Sequence, residues 1–98
     1  MKPFPTTPEF LRAAKRIVWF KSPEESLANP IELMAYALKA STDEDMALLL
    51  EHIGASGLAE AIDKAPPGII DARSWSYWNA RIGHFATPPM PTRSLERA

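Results

Sequence analysis

The residues best suited to binding lie in one short stretch toward the C-terminal end of the chain, residues 71–82. Tryptophan, tyrosine and arginine dominate the binding energy of protein interfaces. This stretch contains five of them: Arg73, Trp75, Tyr77, Trp78 and Arg81. On a helix, Arg73, Tyr77 and Arg81 are spaced four apart on one face, so the phenol ring can lie between two guanidinium groups. We take these five residues as a candidate interaction face.

The same stretch also has a purely structural interpretation. Trp75, Trp78, Asn79 and Ile82 share a second helical face. A chain of 98 residues has room for only one modest core, and large side chains are needed to fill it. We therefore favour a core role for the tryptophans, with Asn79 bonded to a nearby backbone group, and keep the binding face as the alternative.

Residues for catalysis, cofactor binding or metal binding are scarce. The chain has no cysteine, and its two histidines, His52 and His84, are far apart and belong to no metal-ligand motif. Adjacent carboxylates occur where helices are predicted to begin, and helix capping already accounts for them there. The four glycines form no phosphate-binding loop, and no serine lies in a nucleophile elbow. We predict no catalytic residue, no cofactor and no metal site, and hence a protein that is not an enzyme.

The net charge of −1 conceals an uneven distribution along the chain. Residues 1–21 carry five cations against Glu9, whereas residues 22–63 carry nine acids against Lys39. The acidic residues 43–51 could face a basic protein partner. Alternatively, a nucleic acid could bind a basic patch drawn from the first and last helices, which would need those helices to lie side by side. The patch would comprise Arg12, Lys15, Arg16, Arg73 and Arg81.

Apolar residues at helical spacing, separated by proline, glycine and capping residues, predict an all-α fold. We expect one compact bundle of five to six short helices. The first helix places Phe10, Ala13, Ala14 and Ile17 on one face, and Gly54 and the Pro66-Pro67-Gly68 turn end later helices. The predicted helices cover about residues 8–20, 23–28, 30–40, 43–53, 57–64 and 72–82.

Three regions follow from this pattern. Residues 1–7 are predicted to form a flexible arm, residues 8–83 the helical domain, and residues 84–98 an extended proline-rich tail. Within the tail, Pro88–Arg93 matches the P-x-x-P-x-R pattern of ligands for SH3 domains, although a strap over the domain's own aromatic residues or a loose terminus fits better. Without a signal-like segment, a membrane-spanning run or cysteine, the cytoplasm is the expected location.

The run Ala65–Asn79, together with Leu33–Ala37 and the later Pro88–Arg93, resembles a group of small bacterial proteins. The similarity covers most of residues 8–93, and its mark is an APPGI-D-x-RSW-x-YWN signature. Some of these proteins resemble the partners encoded beside abortive-infection-type nucleotidyltransferase toxins. The resemblance implies an antitoxin or accessory role through protein contact, and it assigns no site residue. We therefore expect a protein-interaction module, with nucleic-acid binding as the alternative.

Overall fold

Five α-helices make up the part of the chain that the structure, a computed structural model, describes, which is residues 1–83. No strand occurs within this part. The prediction of a single all-α domain is confirmed, and the predicted tail over residues 84–98 lies outside the described residues. The helices are α1 (Pro8–Ile17), α2 (Pro23–Ala28), α3 (Pro30–Ala40), α4 (Asp43–Asp63) and α5 (Ala72–Arg81).

The helices begin where the sequence supplies a proline or a capping side chain. Proline stands in the first turn of α1, α2 and α3, where a missing backbone N–H leaves no bond unmade. The Ser22 hydroxyl accepts a hydrogen bond from the backbone N–H of Glu25, and the Thr42 hydroxyl accepts one from that of Asp45. These bonds satisfy amide groups that have no partner inside the helix.

Two helix ends differ from the sequence prediction. Helix α1 ends at Ile17 and not at Phe20, because Val18 is buried and the chain then turns, with the N–H of Lys21 bonded to the Val18 carbonyl. Gly54 interrupts α4 as predicted, with φ 70° and ψ −176°, but it produces a kink and not a separate turn. Helix resumes at once, so the two predicted helices are continuous apart from this one residue.

Helix α3 lies at the centre of the domain and packs against each of the other four helices. Its residues Leu33, Met34, Ala35, Ala37 and Leu38 are almost completely buried. Apolar side chains of the other helices close around them: Phe10, Ala14, Leu27, Leu49, Ala61, Ile62 and Trp75. A helix that is apolar on nearly all sides is expected to be buried in a core, and both α1 and α5 pack against α3.

Residues 1–7, for which a flexible arm was predicted, pack against the helices through Phe4. The Phe4 side chain is 3% exposed, and its ring stacks on that of Phe10 with the centroids 5.7 Å apart. The Phe4 N–H also donates to the Leu27 carbonyl over 3.0 Å. One large apolar side chain therefore holds the segment on α1 and α2, a long-range contact that the local prolines conceal.

Candidate interaction surface

Helix α5 carries the candidate residues and is fixed onto the C-terminal end of α3. The Asp71 carboxylate caps α5 by accepting a 2.8 Å hydrogen bond from the Ser74 N–H. Hydrogen bonding to the side chain and then to the backbone of Ser74 lowers the pKa of Asp71. At the other contact, the indole Nε1–H of Trp78 donates over 3.0 Å to the Leu38 carbonyl. Leu38 belongs to the last turn of α3, whose carbonyls lack partners within the helix. Trp78 thus completes the hydrogen bonding of its neighbour.

Two residues of the stretch belong to the core. Trp75 is 7% exposed and Asn79 is fully buried, with its side-chain amide donating over 2.8 Å to the Trp75 carbonyl. The face of α5 that bears them is the one that the core interpretation assigned to the interior. Trp75 was also part of the candidate interaction face, and its burial removes it from the surface.

Tyr77, Trp78 and Arg81 form an ordered group at the surface, which we call the α5 surface. Tyr77 is 52% exposed and Trp78 is half-buried, with their rings nearly perpendicular and the centroids 5.1 Å apart. The Arg81 guanidinium lies 5.7 Å from the Tyr77 centroid and 5.6 Å from that of Trp78, and it donates to the Tyr77 hydroxyl over 2.9 Å. Arg73 is exposed, but within residues 1–83 the tyrosine ring carries Arg81 alone. Of the two guanidinium groups expected on either side of the tyrosine ring, only that of Arg81 is in place among residues 1–83.

An open groove of about 430 Å³ runs beside the α5 surface. Its walls combine Tyr77, Trp78 and Arg81 with residues from α3, α4 and the turn between them. Lys39 and Asp43 place one charge of each sign on its lining, and the buried hydroxyl oxygen of Ser41 has no hydrogen-bond partner within residues 1–83. The other lining residues are Ala37, Leu38, Ala40, Met46, Ala47 and Leu50. The groove offers apolar surface and a cation held over aromatic rings.

The cations of α1 are arranged differently from the proposed basic patch. Arg16 is paired with the buried Asp45 of α4, through an Nε–Oδ2 hydrogen bond of 2.9 Å and a second bond from Nη2 to Oδ1. This pairing lowers the pKa of Asp45. Helices α1 and α5 each pack on α3, and they are not among the helix pairs in extensive contact. The geometry gives no support to one continuous patch that unites both helices.

His52, the one histidine within the described residues, lies against two aromatic rings. Its ring centroid lies 5.4 Å from those of both Phe4 and Phe10. His84 lies outside the described residues. Within residues 1–83 no group of three or more histidine and carboxylate side chains could hold a metal ion.

The sequence interpretation missed a second exposed aromatic group, which we call the aromatic row: Trp19, Phe20 and Tyr36. Trp19 is 77% exposed and Phe20 is 52% exposed. The Trp19 and Phe20 centroids are 5.6 Å apart, those of Phe20 and Tyr36 are 5.5 Å apart, and both pairs meet nearly edge to face. A signal was present, since Trp19 and Phe20 extend the apolar run beyond the residues that form the buried face of α1.

Comparison of the chain with protein-family models, with curated proteins and with solved structures gave no match. The resemblance to antitoxin-like partners therefore stays a prediction. No helix within residues 1–83 has both the length and the apolar character required to cross a bilayer.

Proposed function

We propose that this chain is a non-enzymatic protein-interaction module that binds a partner protein through the α5 surface and the adjoining groove. The observation that carries the proposal is the fixed arrangement of Arg81 over Tyr77 and Trp78 at the edge of an open groove. Side chains held in place before binding lose little conformational entropy when the complex forms. An antitoxin-like or accessory role in a bacterial cytoplasm is the biological setting that the sequence resemblance suggests.

The chemistry of the α5 surface favours a protein as its ligand. Tyrosine, tryptophan and arginine are the residues most enriched at interface hot spots. The groove next to them is lined by apolar side chains from two further helices, so one partner side chain can be buried there while its polar neighbours meet Arg81. Exposed Tyr77 and half-buried Trp78 leave aromatic surface for that contact.

The test combines partner identification with two single substitutions. The chain is used to isolate its partner from the cells that carry it, and the purified pair is then measured by titration calorimetry with Tyr77→Ala and Arg81→Ala. A loss of about 2 kcal/mol, which corresponds to about thirtyfold weaker binding, is expected for either variant if it removes a hot spot.

Arg12→Ala is the matched control, because it removes an exposed cation of α1. It should leave the affinity for the partner within about twofold of the wild type, an energy of about 0.4 kcal/mol. Failure to isolate any partner, or a partner whose affinity is the same for wild type, Tyr77→Ala and Arg81→Ala, would refute the proposal.

A further inference from the structure

The aromatic row shares no residue with the α5 surface and is carried by different parts of the chain. Trp19 and Phe20 occupy the turn after α1, and Tyr36 extends the row onto α3. Each ring meets its neighbour nearly at a right angle, at 86° for Trp19 and Phe20 and 76° for Phe20 and Tyr36. Trp19 is 77% exposed and Phe20 is 52% exposed, so much of this aromatic surface faces the solvent. Grooves lined by aromatic rings are the surfaces on which proline-rich segments dock in the polyproline II conformation.

Carboxylates border one end of the row. Lys21, which follows Phe20, is ion-paired with Glu32 over 2.6 Å. The hydrogen bond to Glu32, with a smaller contribution from the nearby Glu25, raises the pKa of Lys21. Glu25 is exposed on the first turn of α2 and forms no ion pair within residues 1–83. Two carboxylates thus stand against one lysine, which leaves a negative charge beside the rings. An arginine next to a proline-rich segment would complement this charge.

We propose that the aromatic row binds the chain's own segment Pro88–Arg93, with its prolines against the rings and Arg93 beside Glu25 and Glu32. This segment has the P-x-x-P-x-R order of proline-rich ligands that dock on aromatic surfaces. Pro91 follows the last described residue, Gly83, by eight positions, a span of about 25 Å in a polyproline II segment. The contact uses no residue of the α5 surface, so it stands or falls independently of the proposed function.

Site-resolved hydroxyl-radical labelling of the full chain tests the contact, with mass spectrometry reporting the oxidation rate of each tryptophan. A tethered segment has an effective concentration on the order of 1 mM. If its dissociation constant is on the order of 0.1 mM, Trp19 is uncovered in about one molecule in ten. Pro91→Ala and Arg93→Glu should then raise the Trp19 oxidation rate several-fold, while buried Trp75 serves as the internal reference for an intact fold.

Pro89→Ala is the control, since it removes a proline that is not one of the two fixed prolines of the motif. It should leave Trp19 oxidation near the wild-type rate. Combining Arg93→Glu with Glu25→Arg should restore the protection that Arg93→Glu alone removes. A Trp19 rate that is the same in wild type, Pro91→Ala and Arg93→Glu would overturn the proposal. Protection that appears only at high protein concentration would also overturn it, because the bound segment would then belong to a second copy.

Discussion

The ion pair between Arg16 and Asp45 allows a prediction whose size and pH dependence both follow from the structure. Asp45 is 2% exposed, whereas the Arg16 side chain is 53% exposed. Removal of Arg16 therefore leaves a carboxylate buried without its cation, and removal of Asp45 leaves a cation that water can reach. Replacing Arg16 should consequently lower the free energy of unfolding more than replacing Asp45 does.

Arg16→Met should lower the free energy of unfolding by about 2–3 kcal/mol at neutral pH. A hydrogen bond to a charged group contributes about 1.5–3 kcal/mol, and losing the partner of a fully buried charge costs about 3–5 kcal/mol. We take a value below the second range because Arg16 is half exposed. Asp45→Asn should cost less, about 1 kcal/mol, since the amide oxygen can still accept from Arg16 and no charge is left buried.

The effect should depend on pH in one direction. Arg16 lowers the pKa of Asp45, so the folded state holds this carboxylate ionised more strongly than the unfolded chain does. The resulting stabilisation is present above the unfolded pKa of about 3.9 and is lost as the pH falls through the folded value. The difference between wild type and Arg16→Met should therefore be large at about pH 7 and should shrink as the pH falls below the unfolded pKa of about 3.9 and through the lower folded value.

Urea unfolding followed by circular dichroism measures these differences. Lys15→Met is the matched control, because it removes a cation from the same helix at an exposed position, and it should change stability by no more than about 0.5 kcal/mol. The reasoning is refuted if Lys15→Met costs as much as Arg16→Met. It is refuted equally if the cost of Arg16→Met is the same at neutral and at acid pH.

Two further predictions concern the backbone and the helix contact. Gly54→Ala should destabilise the protein by about 1–3 kcal/mol through strain alone, because its φ of 70° with ψ −176° suits only glycine and the added Cβ would have nothing within 4 Å. Gly57→Ala should also destabilise the protein, but through a steric clash, since the added Cβ would lie 2.5 Å from the Cβ of Ile53. Thermal unfolding measures the stability of both variants. An unchanged stability of Gly54→Ala would contradict the strain argument. Trp78→Phe should cost about 0.5–1.5 kcal/mol in urea unfolding, because it removes the hydrogen bond to the Leu38 carbonyl, and an unchanged stability would show that this bond contributes nothing.

The sequence predicted the helices well because their signals are local. A proline or a capping residue stands within a few positions of each helix start, and an apolar stripe follows it. Two features that the sequence did not predict depend on distant contacts. Phe4 is buried because Phe10 and Leu27 meet it in space, and α1 ends early because Val18 turns inward. No pattern in the neighbouring residues of the sequence predicts either contact.

The candidate surface was predictable in part for the same reason. The pair Tyr77 and Arg81 lies one helical turn apart, so spacing alone brings the hydroxyl and the guanidinium together, and the structure shows that bond. The division between buried Trp75 and half-buried Trp78 depends on where α3 lies, which spacing does not reveal. The row of Trp19, Phe20 and Tyr36 joins two helices and needed the folded chain to appear.

The bond from Trp78 to Leu38 restricts how the α5 surface can respond to a ligand. A partner that drew the indole outward would strip a carbonyl at the end of α3 of its donor, and the final turn of that helix would loosen together with the edge of the groove. The free energy lost by breaking this hydrogen bond and loosening α3 would weaken the binding of the partner. Trp78 consequently keeps its position when a ligand binds, and only the more exposed side chains Tyr77 and Arg81 can change conformation to fit different ligands.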